Sequence, residues 1–515
     1  MNIDFKWQIK HYAAMKADLK KPLPADLYSA ESVRRLDSIA INEFDIPGYE
    51  LMKRAGQAVF DYLQQHFPLA RQILVCCGAG NNAGDGYVVA RLAMQAGFRV
   101  QLISMLPGEK LQGDARQAWQ DWRSLGHQPL AFSADLPAQA DIIIDALLGT
   151  GLQRDIEGEW AELVNAINRS GRPVIAVDIP SGLCADTGRI AGCGVRASAT
   201  VTFIGLKKGL LTHYGVDHCG ELIFDDLGIP EGVYSRQPPQ ARRLDWGDLS
   251  QQIRPRKASS HKHQHGHLLV LGGDLGMPGA VRMAAEAALR AGAGLVTVIS
   301  HAEHSEAILA GRPELMLQPS AEGHIPRSLL ARADALVIGP GLTDSPWSQQ
   351  LLATALQADM PRLIDAGALR LLDEQDASND NSHQVLTPHA GEAAALLGES
   401  PALIQDSRFS SVELLQQKYG GHIVLKGAGT LIQSPKELTW LCPYGNPGMA
   451  TAGMGDILSG VIGALLAQKY PPAQAARLGV CLHSLGADQA ARDGQIGLLA
   501  TDLLPFIRQL INSHD

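Results

Sequence analysis

The chain has 515 residues, enough for roughly two to four ordinary domains with buried cores of their own, and a small disulfide-stapled scaffold is excluded. Its 44 Lys and Arg against 53 Asp and Glu leave a formal charge of −9 with no long run of either sign, so the basic stripe that holds a nucleic-acid backbone is missing. Hydrophobic residues at 46% and charged residues at 19% are ordinary for a globular chain, while 53 glycines exceed the usual share of about 7% and forecast many close backbone approaches.

The N-terminal MNIDFKWQIKHYAAMKADLKK breaks any apolar run with Asp4, Lys6 and Lys10, so residues 1–27 read as an exposed extension and not as a secretory signal. In residues 28–240, ILVCC (73–77), VQLIS (100–104), DIIIDALL (141–148), VIAVD (174–178) and TVTFI (200–204) are short buried-strand runs separated by helical periodicity. That alternation is the pattern of an α/β domain with a largely parallel sheet. Residues 229–260 carry Pro, Gly and basic residues without either periodicity, and a boundary is expected near 240. Residues 241–515 repeat the α/β pattern in LLVLGG (268–273), LVTVIS (295–300), ALVIGPG (335–341), RLIDA (362–366) and HIVLKG (422–427), with AVRMAAEAALRAG as one intervening helix. The longest apolar candidate for a membrane span, ILSGVIGALLA, falls short of the roughly 18 residues needed. Seven cysteines, at 76, 77, 184, 193, 219, 442 and 481, form no C-x-x-C or zinc-like spacing and fit a reducing cytoplasm.

After ILVCC the chain runs Gly78, Ala79, Gly80, Asn81, Asn82, Ala83, Gly84, Asp85, Gly86 into a helix. A glycine-rich strand-to-helix turn offers free N–H groups and a positive helix end to an anion. Asp145 and Asp178, the latter followed by Ser181 and Gly182, also close predicted strands, where ligands collect in open α/β sheets.

Three segments, GAGNNAGDGYVVAR, DALLGTG and AVDIPSG, resemble the NAD(P)H-hydrate epimerase family over residues 28–228. The resemblance implies a Rossmann-like three-layer α/β/α sandwich. It implies that Asn81, Asn82, Ala83, Gly84 and Asp85, with Gly149, Thr150, Gly151, Leu152, Gln153, Arg154 and Asp155, hold a hydrated nicotinamide nucleotide. Asn82, Asp145 and Ser181 would bind potassium, and Asp178 would contact the ring as acid or base during inversion at carbon 6. Ala83 stands where the family usually has a second glycine. A nucleotide-binding scaffold without catalysis is the alternative.

In the second half, GPGL (339–342) and KGAGT (426–430) each follow a strand, and GNPGMATAGMGDILSGVIGALLA (445–467) is a glycine-rich loop opening an apolar helix. Bare N–H groups at Ala452, Gly453, Met454 and Gly455 can neutralise a transferring phosphoryl group. Asp456 beside them is positioned to take a proton from an attacking hydroxyl, although an isolated Gly-Asp is more often a helix N-terminal acid that complements the dipole.

With LLVLGGDLGMPGAVRMAAEAALRAGAGLV, RPELM, IGPGL, TPHAGE and LKGAGT, residues 250–512 resemble the ribokinase-like superfamily and, within it, the ADP- or ATP-dependent NAD(P)H-hydrate dehydratases. The resemblance implies that Ala280, Gly341, His389 and Asp456 contact the hydrated dinucleotide. Lys426, Gly427, Ala428, Gly429, Thr430 and Gly455 would hold ADP as phosphoryl donor, with magnesium.

Ala390 stands where the family usually has proline, and Gly367 where a second aspartate is common, leaving Asp365 as the carboxylate of its segment. His263 replaces a usual glycine. His261, His263, His265 and His267 alternate, so on an extended chain they share one side and imitate a transition-metal site, with loop histidines as the blander reading. The expectation is a fused enzyme for small-molecule substrates, homo-oligomeric and cytoplasmic, without nucleic-acid or membrane partners. A ribokinase-like kinase for a vitamin precursor, carrying a regulatory nucleotide-binding domain, is the rival.

Overall fold

The computed structural model describes residues 22–130, 132, 136–137, 139–152, 154–373 and 381–513; Gln153 and residues 1–21 of the expected extension lie outside the described residues. That extension ends earlier than residue 27, because strand β1 (Asp26–Tyr28) already buries Leu27 completely. The chain divides into a first unit, comprising residues up to Asp186 with Ile190–Leu210 and Asp217–Pro239, and a second unit of Thr187–Arg189, Leu211–Val216 and Gln240–Asp515.

In the first unit, β2 (Gln72–Cys77), β3 (Arg99–Ser104), β4 (Ile142–Ala146), β5 (Val174–Val177), β6 (Ala199–Phe203) and β8 (Glu221–Asp225) form a parallel sheet in the order β3-β2-β4-β5-β6-β8. The short β7 (Leu206–Lys207) pairs in parallel with β1. Continuous apolar strands are expected where a parallel sheet is covered on both faces, and β2 shows how one strand serves both. Ile73, Val75 and Cys77 join one core with the helices Gly48–His66 and Asn81–Gln95, while Leu74 and Cys76 join the opposite core with Leu163 and Ile167. Cys76 and Cys77 are buried free thiols.

The second unit carries β9 (Ala241–Arg243), β10 (His267–Leu271), β11 (Leu295–Ser300), β12 (Met316–Pro319), β13 (Ala335–Ile338), β14 (Arg362–Ile364), β15 (Gln384–Leu386), β16 (His422–Leu425), β17 (Thr430–Gln433) and β18 (Thr439–Cys442). The order β12-β11-β10-β13-β14-β15-β16 is parallel, β17 and β18 continue it antiparallel, and β9 lies parallel to β18. Residues 229–260 are therefore not simply a linker, since β9 and the Trp246–Ser250 helix arise within them. The Pro278–Arg290 and Met454–Ala467 helices pack on the sheet with Leu268, Val270 and Val337 beneath them. Gly460 permits their close crossing, because a Cβ there would collide with the Ala284 carbonyl oxygen.

The histidine stretch is corrected by this unit. Lys262–His265 is a single 3₁₀ turn and not an extended strand, so the alternation that would align the four rings is lost, although His261 and His263 lie with ring centres 6.0 Å apart. His265 Nε2 meets Ser260 Oγ at 3.0 Å, and His267 is buried at the start of β10 with Nε2 2.8 Å from Thr297 Oγ1. Among the described residues no group of three His, Cys, Asp or Glu side chains is arranged to hold a metal ion, and no helix is long and apolar enough to cross a membrane.

Candidate active sites

In the first unit the strand order reverses between β2 and β4, and the crevice outside their carboxyl ends is where an open sheet receives a ligand. Gly80, at φ 131°, lets the chain turn from β2 into the Asn81–Gln95 helix. Asn82 and the Gly149 segment adjoin there, for a Cβ on Gly149 would lie 3.3 Å from that of Asn82. Both amide atoms of Asn82 are buried without a hydrogen-bond partner, a cost that a bound ligand, ion or water would relieve. Ala83 is an ordinary helical residue, so the glycine it replaces is not required for a positive φ.

Asp145, at the end of β4, is fully buried. Its Oδ1 accepts from Ser181 Oγ at 2.6 Å and Leu147 N at 3.3 Å, and its Oδ2 from Ser181 N at 2.8 Å. Burial pushes this carboxyl up to about 6 against those donors. Asp178 follows β5 with φ 66°, a left-handed conformation that costs a non-glycine residue energy. Its Oδ1 accepts from Lys207 Nζ, from Thr202 Oγ1 at 3.2 Å and from Phe203 N at 3.2 Å. Lys207 is completely buried and donates also to Thr202 Oγ1 and the Phe203 carbonyl.

Two further acids face this pair. Burial pushes Asp37 up to about 6, with Lys207 lowering and Asp178 raising it. Asp85 is driven well above the usual carboxylate range by burial and then by the Asp178 and Asp37 charges. Three carboxylates thus surround one buried lysine, and sequence reasoning missed Lys207 and Asp37. The only available signal was a lysine pair just after the TVTFI strand.

In the second unit the reversal lies between β10 and β13. Gly341, at φ 69°, sits against the start of the Pro278–Arg290 helix, where a Cβ on it would lie 3.3 Å from that of Ala280. Asp456 occupies the first turn of the Met454–Ala467 helix behind Gly453, at φ 89°. Gly455 closes the approach to the next two strands, since its Cβ would stand 3.4 Å from Lys426 Nζ and 3.5 Å from Asp365 Oδ2. Lys426 Nζ donates to Asp365 Oδ1 at 2.8 Å and lies 3.6 Å from Glu392 Oε2; Ser459 Oγ donates to Asp365 Oδ2 at 2.6 Å.

The electrostatics follow from this packing. Asp456 is pushed up to about 7 by burial and by repulsion from Asp365, with Lys426 opposing. Asp365 stays below its usual range, because Lys426 and hydroxyl donors overcome its burial. Burial lowers Lys426, but the Asp365, Glu392 and Asp456 charges raise it further, so it remains an ammonium. His389 Nδ1 accepts from Gly391 N at 3.0 Å and Glu392 N at 3.1 Å, while Glu392 Oε2 accepts from His389 N at 2.8 Å. This reciprocal cap starts the Ala390–Leu397 helix.

The Lys426–Thr430 turn rests on Arg408, which sequence reasoning also missed. Arg408 is 1% exposed and donates to the carbonyls of Leu425 and Gly429 at 3.2 Å, to Lys426 O at 3.4 Å, to Thr212 Oγ1 at 3.1 Å and to Gln405 Oε1 at 2.8 Å. Gly367 cannot be the second aspartate of the usual pattern in this backbone, for any Cβ there would collide with the Leu342 carbonyl oxygen.

Two α/β units, each with carboxylates and glycine turns gathered outside the carboxyl ends of its parallel strands, have the architecture of a nucleotide-handling enzyme. A family model described as NAD(P)H-hydrate dehydratase matches residues 268–509, and one described as YjeF-related protein N-terminus matches residues 48–209. The chain is 46% identical over 487 residues to the bifunctional NAD(P)H-hydrate repair enzyme of Coxiella burnetii, covering 94% of this chain and 99% of that protein. Identity to the Escherichia coli enzyme of the same description is 43%, with 95% of each chain covered. An ADP/ATP-dependent NAD(P)H-hydrate dehydratase from Bacillus subtilis, co-crystallized with ATP and Mg2+, matches at 28% identity and a TM-score of 0.48, covering 53% of this chain and 98% of that one.

The chain belongs to the family of bifunctional NAD(P)H-hydrate repair enzymes, with an epimerase domain ahead of a dehydratase domain.

Proposed function

We propose that the first unit interconverts the R and S hydrates of NADH and NADPH, and that the second dehydrates the S hydrate at the expense of ADP, releasing AMP and phosphate. The observation that carries this reading is Asp456 at the mouth of a glycine-rich helix N-terminus, with its carboxyl raised to about 7. A base of that strength is partly ionised at neutral pH and is matched to proton transfer.

In the proposed dehydration, Asp456 takes the proton of the carbon 6 hydroxyl as that oxygen attacks the β-phosphorus of ADP and AMP departs. Backbone N–H groups at Gly453–Gly455 and the Lys426 ammonium oppose the charge of the transferring group. The phosphate ester then breaks at carbon 6, carbon 5 loses a proton, and the ring regains its double bond. The oxygen of the added water leaves in the phosphate. Ala280, Gly341 and His389 would border the hydrate, and Gly427, Ala428, Gly429 and Thr430 the nucleotide. Magnesium would accompany ADP, as it commonly accompanies nucleotide phosphates, and would supply charge neutralisation.

In the epimerase unit Asn82, Asp145 and Ser181 would hold potassium. The fit rests on the buried Asn82 Oδ1 without a donor and on the buried Asp145 carboxylate, oxygen ligands of the kind a hard cation takes. The ion would supply positive charge to offset negative charge developing on the carbon 6 oxygen. Asp178, seated on Lys207, would give and accept the proton as the carbinolamine opens and recloses. The Asn81–Asp85 and Gly149–Asp155 segments would border the nucleotide.

The test is incubation of acid-generated mixed hydrates with the protein, following the dihydronicotinamide absorbance. Full recovery is expected with ADP, and epimer equilibration without recovery in its absence. Recovery with ATP alone would overturn the donor. Failure with both nucleotides, together with phosphorylation of a hydroxymethylpyrimidine, would replace the reading by a vitamin-precursor kinase.

A further inference from the structure

The second unit contains a cleft of about 1220 Å³ that none of the chemistry above uses. Arg254, Arg256, Lys257, Arg290, Arg312 and Arg508 line it, against two carboxylates, Glu286 and Glu314. In a chain of net charge −9 this is a local reversal of sign, and a concave basic wall focuses its field on anions.

The cleft is remote from the catalytic loops. Ala280 lies in the first turn of the 13-residue Pro278–Arg290 helix, and the cleft is lined by Arg290, Ala291 and Gly292 at its other end. At 1.5 Å per residue the two ends are about 20 Å apart. The cleft also lies near the amino ends of β10 and β11, whereas the catalytic turns follow carboxyl ends.

Three of its guanidinium groups are held in place by the fold. Arg256 Nη2 donates to the Gly292 carbonyl at 2.6 Å, and the Arg254 guanidinium lies 4.4 Å from the centre of the Tyr470 ring. Arg312 pairs with Glu286, which removes one of the two negative charges from competition. Among the described residues Lys257, Arg290 and Arg508 form no ion pair. Capping of a helix carboxyl end accounts for Arg256, but not for this surplus.

We propose that this cleft is a second anion site, specific for a small phosphate polyanion, separate from both catalytic sites. Arginine forks match phosphate oxygens two at a time, and several cations along one cleft favour a chain of phosphates over a single one. A pocket of this size accepts a ligand as large as a nucleotide. Tyr470 is buried beneath Arg254, so no exposed aromatic face offers stacking to a base, and the phosphates are what the cleft recognises. The proposal does not rest on the reactions assigned above and stands or falls without them.

The test is titration calorimetry of the full chain with inorganic tripolyphosphate at fixed ionic strength. The native protein is compared with the double variant Arg290→Gln/Arg508→Gln and with the exposed single variant Lys257→Glu. Expected is a binding event in the native protein that weakens roughly tenfold or more in both variants, through loss of charge-assisted contacts, while kcat and KM for ADP in dehydration stay unchanged. ADP and ATP arms, read as the part of the isotherm that the cleft variants lose because the dehydratase site also takes ADP, identify the source: affinity no better than tripolyphosphate marks the phosphate chain alone, and tighter binding marks a nucleotide. Identical isotherms in native and variant proteins, absence of binding, or equal displacement by chloride at the same ionic strength would overturn the site. A single-stranded oligonucleotide displacing tripolyphosphate at lower concentration than any nucleotide would reassign the cleft to nucleic acid and equally overturn it.

Discussion

Asp365 and Asp456 share one lysine on unequal terms: Asp365 accepts a 2.8 Å hydrogen bond from Lys426 and stays below the usual carboxylate range, while Asp456, buried and repelled by Asp365, rises to about 7. Two acids pushed apart in this way suit the division of work in the proposed dehydration, with one a permanent charge and the other the proton acceptor. Glu392 braces the same lysine from the Ala390–Leu397 helix, so the difference is built from four separate segments of the second unit.

Dehydration should therefore follow the ionisation of Asp456. We expect kcat/KM to fall about tenfold per pH unit below roughly 7, because only the carboxylate form accepts the hydroxyl proton. Asp365→Asn removes the repelling charge and should move this limb toward lower pH. A pH profile with its acid limb unchanged in that variant would separate the limb from Asp456.

The same group has an opposite effect on stability. A carboxyl raised from its ordinary 3.8 to about 7 holds its proton more tightly in the folded chain than in the unfolded one. Between those values the unfolded state binds fewer protons, so stability declines with rising pH and levels off above 7. Asp456→Asn should therefore melt higher than the native protein at pH 8 and equally at pH 4. Matched thermal melts at the two values, showing no pH-dependent difference, would contradict the raised carboxyl.

Potassium should support epimerisation through Asp145. Asp145→Ala removes the formal charge expected to hold the ion, and the Ser181 hydroxyl and amide lose their acceptor. Epimerisation in this variant should be slow and insensitive to potassium, while ADP-dependent recovery of the S hydrate persists. Rates measured with potassium and with a tetraalkylammonium salt decide it, and an undiminished potassium response in the variant would remove Asp145 from the ion site.

Arg408→Met should loosen the turn that is assigned to the nucleotide. Methionine fills the space but leaves the Leu425, Lys426 and Gly429 carbonyls without their donor, at a cost on the order of 3 kcal/mol. The urea midpoint should drop, and KM for ADP should rise more than kcat falls. A stability loss with KM for ADP unchanged would make Arg408 a core residue with no bearing on the turn.

The strands of both sheets were largely legible because parallel strands covered on two faces are written as unbroken β-branched runs, as ILVCC and LVTVIS show. The β17–β18 hairpin escaped notice because its four-residue strands, TLIQ (Thr430–Gln433) and TWLC (Thr439–Cys442), mix polar and apolar positions at the sheet's antiparallel end. Glycine turns and their neighbouring carboxylates could be read because each is contiguous in the chain. Lys207 reaches Asp178 from 29 residues away, and Arg408 reaches Gly429 from 21. A single basic residue in the sequence is indistinguishable from a solvated one until the sheet brings its partners together. Burial, which gives both residues their roles, is a property of the fold alone.

The division of labour between the two units is open to one paired measurement. Asp456→Asn keeps the shape of the helix start, and relief of the buried charge offsets the lost dipole contribution of about 0.3 to 1 kcal/mol, yet the amide cannot accept the hydroxyl proton. Loss of a general base commonly slows a reaction a hundredfold to about ten-thousandfold, so this variant should recover almost no dihydronicotinamide while still equilibrating the epimers. Asp178→Asn should do the reverse, for it breaks the charge pairing with Lys207 in the first unit and leaves Asp365, Lys426 and Asp456 as they are. It should recover the S hydrate at the native rate, and the R hydrate only as fast as it isomerises unaided. Chiral separation of the hydrates alongside the absorbance assay reads both activities in one reaction. Loss of both activities in either variant, with an unchanged circular dichroism spectrum, would mean that a single site serves both reactions and that the two carboxylates act in concert.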